Sequence, residues 1–280
     1  MTMTQQTLDQ YRVFGNPIAH SRSPDIHHIF AHESQQNINY QKQLVDIDGF
    51  ANAVTDFIKQ NGKGANVTVP FKEQALALSD ELTERARLAG AVNTLSFVDG
   101  KIKGDNTDGE GLVQDLLRNN VKLKNSRILL LGAGGAAKGV ILPLLAQQPQ
   151  SITVANRTFS KAEQLCLQFA DPRVTACGFS ISADNTFDLI INATSASLSG
   201  QLPPIPAQLI TPSVVCYDMV YGKTLTPFLV WAKQQGANQV IDGLGMLVGQ
   251  AAVSFSIWRG VTPAVEPVIS ALRHALEVEA

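Results

Sequence analysis

Residues 127–156 constrain the possible folds of this chain more than any other stretch. The apolar runs RILLLG and SITVAN flank the helix-like segment AAKGVILPLLAQQ, which gives strand, helix and strand at the spacing of a βαβ unit. Continuous runs of this kind are typical of strands that are buried on both faces, as in a parallel sheet. FDLIIN and VVCYDM repeat the pattern further along the chain. We therefore predict a parallel sheet in the second half.

Three glycines join the first of these strands to the helix. Gly132 allows the tight turn, while Gly134 and Gly135 let the backbone approach a pyrophosphate at the helix N-terminus, where N–H groups and the helix dipole attract an anion. The strand before, the helix after and the second strand at the right distance favour a dinucleotide site over a merely structural turn. The sequence therefore predicts a Rossmann-like domain.

The residues that follow the second strand indicate whether the cofactor is NAD or NADP. An NAD site usually carries an acidic residue there to hold the ribose hydroxyl, but this sequence reads ANRTFSK, with neutral Asn156 and Thr158 and cationic Arg157 and Lys161. An arginine fork binds a 2′-phosphate, which a carboxylate would repel. NADP is therefore the expected cofactor. The alternative is that Arg157 and Lys161 are ordinary solvated charges.

Composition excludes several other classes of protein. The chain has 280 residues, 45% of them hydrophobic and 16% charged, and its net charge of −2 offers no footprint for nucleic acid or an anionic membrane. The start, MTMTQQTLDQ, lacks the basic and apolar regions of a secretory signal, and no apolar run is long enough for a membrane span. Cys166, Cys177 and Cys216 have no metal-ligand spacing, so we expect reduced packing thiols in a cytoplasmic protein.

The first half has a different pattern, in which short mixed strands alternate with helices between Tyr11 and Val98. The strand candidates are YRVFG, INYQKQLV, GANVTV and AVNTLSFV, and the helix candidates are SPDIHHIFAHE and FANAVTDFIKQ. Two helical stretches near the C-terminus have no strand partner in the second half, so we expect them to pack back on the first domain. The prediction is an α/β protein of two domains, a mixed α/β substrate domain (1–108, with the C-terminal helices of 244–280) and a Rossmann-like NADP-binding domain with a parallel sheet (109–243).

Four motifs place polar side chains at element boundaries, where a nicotinamide enzyme could bind its substrate. Taken singly, each has an ordinary alternative: Ser23 as a helix N-cap, Lys72 as a solvated charge, and GDNTDGEG as a turn with a helix cap. The last motif lacks the remaining ligands of a calcium loop. His28 and His32 lie four residues apart without further ligands, which favours a solvated helix face over a metal site. The polar residues are Ser21, Ser23, Thr68, Lys72, Asn93, Asp105, Asn106 and Asp108.

Together, the motifs resemble those of one enzyme family. The chain is similar to shikimate dehydrogenases, the NADP-dependent enzymes of aromatic amino-acid biosynthesis, over nearly its whole length and in order. The pair NVTVPFK and GDNTDG is the most specific part of the resemblance. The motifs that carry it are VFGNPIAHSRSP, KGANVTVPFKE, AGAVNTL, GDNTDG, LGAGGAAKG, NRT, INATS, CYDMVY and DGLGMLVGQAA.

The resemblance implies a discontinuous catalytic domain, a Rossmann domain and a cleft between them. It implies that Lys72 is the catalytic lysine and Asp108 its partner. Ala137 and Lys138 stand where relatives often have Ser and Arg, which implies at most a slight change in cofactor affinity. The implied substrate-binding residues are Ser21, Ser23, Thr68, Lys72, Asn93, Asp108, Tyr221 and Gln250, and the implied cofactor-binding residues are Glu84, Gly132, Ala133, Gly134, Gly135, Ala136, Asn156, Arg157, Thr158, Lys161, Met219 and Gly243.

The implied function is the reversible reduction of 3-dehydroshikimate to shikimate by NADPH, on the route to chorismate and the aromatic amino acids. Lys72 would supply a proton or a charged hydrogen bond to the developing alkoxide. Two alternatives stay open. A quinate/shikimate dehydrogenase that uses NAD shares the fold and the Lys–Asp pair, and a non-catalytic NADP-binding sensor would keep the glycine loop but lose the polar substrate set. We expect a small-molecule substrate, no metal, nucleic acid or membrane, and a monomer or homodimer.

Overall fold

The described chain forms two compact units. The computed structural model describes residues 8–278. The first unit comprises residues 8–107 and 248–268, and the second comprises 108–247 and 269–278. The first unit is therefore discontinuous in sequence.

The first unit alternates short strands with helices. It contains β1 (Asp9–Gly15), α1 (Ser23–Glu33), β2 (Ile38–Leu44), α2 (Phe50–Lys59), β3 (Gly62–Val67), α3 (Lys72–Leu78), β4 (Glu81–Leu82), α4 (Glu84–Ala89), β5 (Thr94–Val98) and β6 (Lys101–Asp105).

Within residues 8–278, the strands of this unit form one sheet in the order β2-β1-β3-β5-β6-β4. β1 pairs in parallel with β2 and β3, whereas β5 is antiparallel to β3 and to β6. The mixed α/β prediction for the first half is confirmed. β5 and β6 are joined by a tight turn at Asp99 and Gly100.

His27 is enclosed by aromatic rings in the first unit. It is fully buried, stacks on Tyr40 with ring centroids 4.3 Å apart, and lies against Phe30, Phe255 and Trp258. Neither ring nitrogen has a hydrogen-bond partner within the described chain. Burial among these rings lowers the pKa of His27 to about 3. The folded protein therefore keeps His27 neutral at pH values where the unfolded chain protonates it.

This burial makes stability depend on pH in a defined direction. An unfolded histidine titrates near pH 6.5, so the contribution is fully present above that pH and is lost as the pH falls toward 3. Between pH 7.5 and 5.5, the free energy of unfolding of the wild type should fall by about 1.4 kcal/mol more than that of His27→Phe. Urea unfolding at both pH values measures this difference.

A matched control is available on the same helix. His32 is exposed, so His32→Gln should keep the pH dependence of the wild type. If His27→Phe shows the same loss of stability as the wild type between the two pH values, the linkage to His27 is wrong.

The second unit contains the elements that the sequence pattern placed in the second half. They are α5 (Asp108–Arg118), β7 (Arg127–Leu131), α6 (Gly135–Ala146), β8 (Ser151–Ala155), α7 (Phe159–Phe169), β9 (Val174–Cys177), β10 (Leu189–Asn192), β11 (Val215–Asp218), α8 (Pro227–Gln234) and β12 (Gln239–Asp242).

The described strands of this unit all pair in parallel, in the order β12-β11-β10-β7-β8-β9. β7 is buried from Ile128 to Leu131, and β10 is buried along its whole length, which explains the continuous apolar runs. The strand order reverses between β7 and β10, and such a switch point is where doubly wound folds bind dinucleotides. The predicted Rossmann-like parallel sheet is confirmed.

Sequence analysis missed four of the α-helices and strands given above for the second unit. β9 and β12 are edge strands of four residues each, which is too short for a reliable periodic pattern. The GDNTDGEG motif, which suggested a turn with a helix cap, opens the full helix α5. α8 begins after the N-cap Thr226, whose hydroxyl accepts a hydrogen bond from the Leu229 N–H.

The last two helices are α9 (Leu244–Arg259) and α10 (Glu266–Val278). We expected both to return to the first domain. Residues 248–259 of α9 do so, but from residue 269 onward α10 groups with the second unit. The physical reason is Arg273, whose Nη2 donates to both carboxylate oxygens of Asp242 at 2.7 Å while Nη1 donates to the Gly222 oxygen at 3.0 Å.

The state of the cysteines, the character of the helices and the exposure of two histidines can be compared with what the sequence predicted. Cys166, Cys177 and Cys216 carry free thiols, and burial raises the pKa of Cys216 to about 12. Among residues 8–278, no helix combines the length and the apolar character that a bilayer crossing needs. His28 and His32 are exposed, as the solvated-face interpretation expects.

Candidate active site

The glycine loop lies between β7 and α6, at the switch point. Gly132 has a φ of +109°, and its N–H donates to the Ala155 oxygen at the end of β8. A Cβ on Gly132 would lie 3.2 Å from both the Ala193 oxygen and the Thr194 Cγ2, in the segment after β10. Position 132 therefore requires glycine both for its backbone conformation and for the close approach of this segment.

The reason for glycine at positions 134 and 135 differs from the reason at position 132. A Cβ on either residue would meet no atom of the described chain within 4 Å, so packing does not require glycine here. Gly134 is the N-cap of α6 and, as a glycine, it offers no side chain to cap this helix end. With Ala133 half-buried and Ala136 exposed, the first N–H groups of α6 face open space. This arrangement fits the pyrophosphate of a dinucleotide.

Exposed cations follow β8 in the same unit. The Asn156 N–H donates to the Cys177 oxygen and its Nδ2 donates to the Thr158 oxygen, at 3.2 and 2.9 Å, so the segment has a defined path. Arg157, Thr158 and Lys161 are exposed around the start of α7. Two cations and a helix N-terminus without a carboxylate form a donor set that fits a 2′-phosphate.

Asp108 is the first residue of α5, a helix that packs closely on α6. A Cβ on Gly109 would lie 2.4 Å from the Gly139 oxygen and 2.6 Å from the Pro143 Cγ. A side chain at position 109 would push the two helices apart. Glycine at this position therefore sets the distance of Asp108 from the loop that opens α6.

Met219 and Gly243 meet at the carboxyl ends of β11 and β12. A Cβ on Gly243 would lie 2.2 Å from the Met219 oxygen. The Gly243 N–H also donates to the Val220 oxygen at 3.2 Å. The structure thus brings these two predicted cofactor residues into direct contact.

Asp218, which the sequence analysis did not select, supports the same segment. Its fully buried carboxylate accepts hydrogen bonds from the Ser197 and Thr226 hydroxyls, each at 2.6 Å, and from the Val220 N–H at 3.1 Å. These bonds hold the segment that carries Met219 and Tyr221. An aspartate at the end of an apolar strand is too common a signal to reveal this role.

The two predicted substrate serines lie together in the first unit. Ser21 Oγ donates to Ser23 Oγ at 3.2 Å and accepts from the Ser23 N–H at 3.3 Å. Ser23 is the first helical residue of α1, and the N-cap is Arg22. The N-cap alternative for Ser23 is therefore wrong, because Pro24 occupies the second helical position and Ser21 bonds the N–H at the helix start.

Thr68 and Lys72 are placed by a short turn after β3. The Thr68 N–H donates to the Phe14 oxygen at 2.9 Å, and the Phe71 N–H donates to the Thr68 oxygen at 3.0 Å. Phe71 is fully buried and stacks on Phe50 with ring centroids 5.0 Å apart. The buried ring anchors the beginning of α3 and so fixes the half-buried Lys72.

Backbone bonds place this turn beside Asn93. The Val92 N–H donates to the Lys72 oxygen at 2.9 Å, and the Val67 N–H donates to the Asn93 oxygen at 2.8 Å. The segments that carry Thr68, Lys72 and Asn93 are therefore neighbours in the first unit.

The Asn93 side chain is held in one orientation. Its Oδ1 accepts from the Thr107 N–H at 2.9 Å, and because a backbone N–H can only donate, this bond identifies the oxygen. Asn93 Nδ2 then donates to Thr107 Oγ1 at 3.0 Å and to Gln250 Oε1 at 3.3 Å. The structure thus unites Asn93 and Gln250, two predicted substrate residues that are 157 positions apart.

Sequence analysis missed Thr107, which joins these two residues. It lies between Asn106 and Asp108 in GDNTDG, but a hydroxyl in a turn is ordinary and gave no signal. Its side chain is fully buried. The contact with Asn93 became visible only in the folded structure.

Two other polar residues of that motif have structural roles. Burial alone would raise the pKa of Asp105, but hydrogen bonds from Arg85 at 2.7 Å and from Thr83 at 2.7 Å outweigh it, so the pKa lies below its ordinary value. Asn106 Nδ2 donates to the Ala91 oxygen at 3.0 Å. Glu84 is exposed at the start of α4 in the first unit, and its cofactor role stays a prediction.

Three family models match separate parts of the chain. A model described as the shikimate dehydrogenase substrate binding domain matches residues 13–95, and one described as shikimate / quinate 5-dehydrogenase matches residues 114–199. A model of the shikimate 5′-dehydrogenase C-terminal domain matches residues 243–273. The chain is also 71% identical, over 98% of its length and 100% of the relative, to the shikimate dehydrogenase (NADP(+)) of Colwellia psychrerythraea. The chain belongs to the shikimate dehydrogenase family.

Other members of the shikimate dehydrogenase family are similar over nearly the whole chain, at lower identity. The shikimate dehydrogenase (NADP(+)) of Vibrio cholerae is 58% identical over 96% of this chain and 98% of that protein. A solved structure of shikimate 5-dehydrogenase from Thermus thermophilus, in complex with NADP(H) and shikimate, has a TM-score of 0.86 and 31% identity, covering 96% of this chain and 100% of that one. The resemblance drawn from the motifs is confirmed at the level of the shikimate dehydrogenase family.

Proposed function

We propose that this protein catalyses the reversible reduction of 3-dehydroshikimate to shikimate with NADPH, a step toward chorismate and the aromatic amino acids. The observation that carries the proposal is the 71% identity over 98% of the chain with a relative named shikimate dehydrogenase (NADP(+)). The open N-terminus of α6 and the exposed cations after β8 support NADP as the cofactor.

Bound NADPH would supply the hydride that reduces the carbonyl carbon. As this carbon accepts the hydride, negative charge develops on the carbonyl oxygen, which must gain a proton to become the hydroxyl. Lys72 would donate that proton, or a charged hydrogen bond, from the start of α3. In the reverse direction, Lys72 would take the proton from the substrate hydroxyl.

The other predicted residues would bind and orient the substrate. The hydroxyls of Ser21 and Ser23 suit the substrate carboxylate, with help from Tyr221. Asp108 would accept a hydrogen bond from a substrate hydroxyl or from Lys72. The amides of Asn93 and Gln250 and the Thr68 hydroxyl would bind ring hydroxyls, because amides both donate and accept.

The compartment and the assembly state belong to this proposal as well. Three free thiols support a reducing compartment, and we propose the cytoplasm. A monomer or a homodimer is expected.

The decisive experiment follows the absorbance of reduced nicotinamide. Purified protein is mixed with shikimate or quinate and with NADP⁺ or NAD⁺. Rapid reduction of NADP⁺ with shikimate, and much slower reduction in the other three mixtures, is the expected result. Absence of turnover in every mixture, in protein that still binds NADPH, would instead favour the non-catalytic sensor.

One observation favours a second candidate function. The family model that matches residues 114–199 is described as shikimate / quinate 5-dehydrogenase, so a dehydrogenase acting on both substrates, with use of NAD, is the alternative. Comparable rates with quinate or with NAD⁺ in the same assay would select it.

Arg157 should decide the preference for NADP. Hydrogen bonds to charged groups contribute about 1.5–3 kcal/mol, so Arg157→Ala should raise the KM for NADP⁺ by roughly 10- to 100-fold and change the KM for NAD⁺ little. Initial rates at saturating shikimate measure both constants.

Lys124→Ala is the matched control, because Lys124 is exposed before the amino end of β7 whereas Arg157 follows the carboxyl end of its parallel neighbour β8. This variant should keep the wild-type KM for NADP⁺. An equal rise for NADP⁺ and NAD⁺ in Arg157→Ala would contradict a specific 2′-phosphate contact.

A further inference from the structure

A cluster of buried hydroxyls adjoins Asn93 and Gln250 in the first unit. It consists of Thr94 in β5, Thr107 after β6 and Ser254 in α9, and each side chain is at most 1% exposed. Three such groups in one place are costly to bury unless their hydrogen-bonding capacity is met. Their partners therefore indicate what the cluster does.

Ser254 lies at the centre of this cluster. Its Oγ is 2.8 Å from Thr94 Oγ1 and 3.3 Å from Thr107 Oγ1, and it accepts from Asn66 Nδ2 at 3.1 Å. Its single hydroxyl proton is shared between the Gln250 backbone oxygen, 3.0 Å away and one turn earlier in α9, and Thr94 Oγ1, because the Thr94 proton is donated to Asn93 Oδ1. A hydroxyl, which both donates and accepts, is suited to a position among an amide donor, a carbonyl acceptor and two further hydroxyls.

Thr94 and Thr107 each also form a hydrogen bond with the Asn93 side-chain amide. Thr94 Oγ1 donates to Asn93 Oδ1 at 2.8 Å. Thr107 Oγ1 accepts from Asn93 Nδ2 at 3.0 Å. Ser254 therefore reaches both ends of the Asn93 amide through one intermediate hydroxyl each, and it belongs to the helix that carries Gln250.

The ordinary explanation of a helical serine does not account for this arrangement. Serines often donate to the carbonyl four residues earlier without any further role. Ser256, two positions along α9, does this, with its Oγ 2.8 Å from the Ala252 oxygen. Ser254 makes the same bond and adds the contacts to Asn66, Thr94 and Thr107.

We propose that Ser254 is a positioning residue for substrate binding, which fixes the Asn93 and Gln250 amides relative to each other through Thr94 and Thr107. The proposal rests on the proposed function, since ring hydroxyls of the substrate are the groups that these amides would bind. In the proposed function, other segments of the chain bind the substrate carboxylate and NADP. Loss of Ser254 should therefore weaken shikimate binding selectively.

The test compares Ser254→Ala with Ser256→Ala, which removes the same local bond without touching the cluster. Ser254→Ala should raise the KM for shikimate by about 10-fold, because losing the net contribution of one hydrogen bond weakens binding by roughly that factor. The same variant should leave the KM for NADP⁺ within twofold. Ser256→Ala should retain both wild-type constants. A KM for shikimate within twofold of wild type in folded Ser254→Ala would overturn the proposal.

A second pair of variants covers the case in which Ser254→Ala does not fold. Thr94→Val removes the hydroxyl at nearly constant volume and should also raise the KM for shikimate, whereas Thr94→Ser keeps the hydroxyl and should restore the wild-type constant. Equal KM values for these two variants would overturn the proposal. Wild-type turnover of shikimate is measured first, since its absence would refute the proposed function itself, whereas turnover with unchanged variant constants refutes only the role of Ser254.

Discussion

Replacement of Lys72 by alanine should lower kcat for shikimate oxidation by roughly 10²- to 10⁴-fold, with a much smaller change in KM. The reason is that the charge on the reacting oxygen changes during hydride transfer, so a group that gives or takes its proton acts mainly in the transition state. The structure places Lys72 at a fixed helix start, anchored by the buried ring of Phe71. Steady-state kinetics at saturating NADP⁺ measure the effect.

Lys63→Ala is the matched control, since Lys63 lies in β3 of the same unit and its Nζ bonds the Asn61 side chain at 3.0 Å. This variant should keep the wild-type kcat. Lys72→Arg separates the two possible roles, because arginine keeps the positive charge but does not give up a proton. Near wild-type kcat in Lys72→Arg would assign a charged hydrogen bond, while near wild-type kcat in Lys72→Ala would refute the catalytic assignment.

Gly243→Ala should reduce both stability and activity. The added Cβ would lie 2.2 Å from the Met219 oxygen and 2.6 Å from its carbonyl carbon. Both are backbone atoms, and the segment they belong to is held by the buried Asp218 carboxylate, so neither side can yield easily. Overpacking of this kind costs about 1–3 kcal/mol, and the displaced segment carries Met219, a predicted cofactor contact. Thermal unfolding and kcat/KM for NADP⁺ measure the two effects.

Gly134→Ala provides the contrast. Apart from its neighbours in the chain, a Cβ at this position meets no atom of the described residues within 4 Å, so the unfolding temperature should stay close to that of the wild type. The same Cβ would occupy space that a bound pyrophosphate needs, so the Kd for NADPH should rise. If Gly134→Ala binds NADPH as tightly as the wild type, the pyrophosphate assignment is wrong. If Gly243→Ala is as stable as the wild type, the contact between position 243 and the Met219 backbone is not rigid.

Local sequence patterns predicted the parts of the protein that depend on local physics. β7, β10 and β11 are buried on both faces and β8 is buried at Ile152, Val154 and Ala155, so their apolar runs identified a parallel sheet. Gly132 and the absence of a carboxylate in ANRTFSK indicated a dinucleotide site with a preference for NADP, because a backbone turn and a charge preference are encoded within a few residues. The catalytic role of Lys72 was predicted only through the resemblance of its motif and stays a prediction, since one lysine at a strand-to-helix junction is not informative by itself.

Other features depend on residues that are far apart in the chain. Ser254 contacts Thr94 across 160 positions and Asn66 across 188 positions, and no periodicity or spacing reports such a pair. The same holds for Arg273 and Asp242, whose bonds place α10 from residue 269 onward with the second unit, against our expectation. The sequence by itself determined the fold class, because this follows from local burial and turn geometry, and it indicated the family through the resemblance of its motifs. The tertiary structure alone decided which buried polar groups satisfy one another, because a hydrogen bond requires two groups to meet in space and the chain order does not specify which will meet.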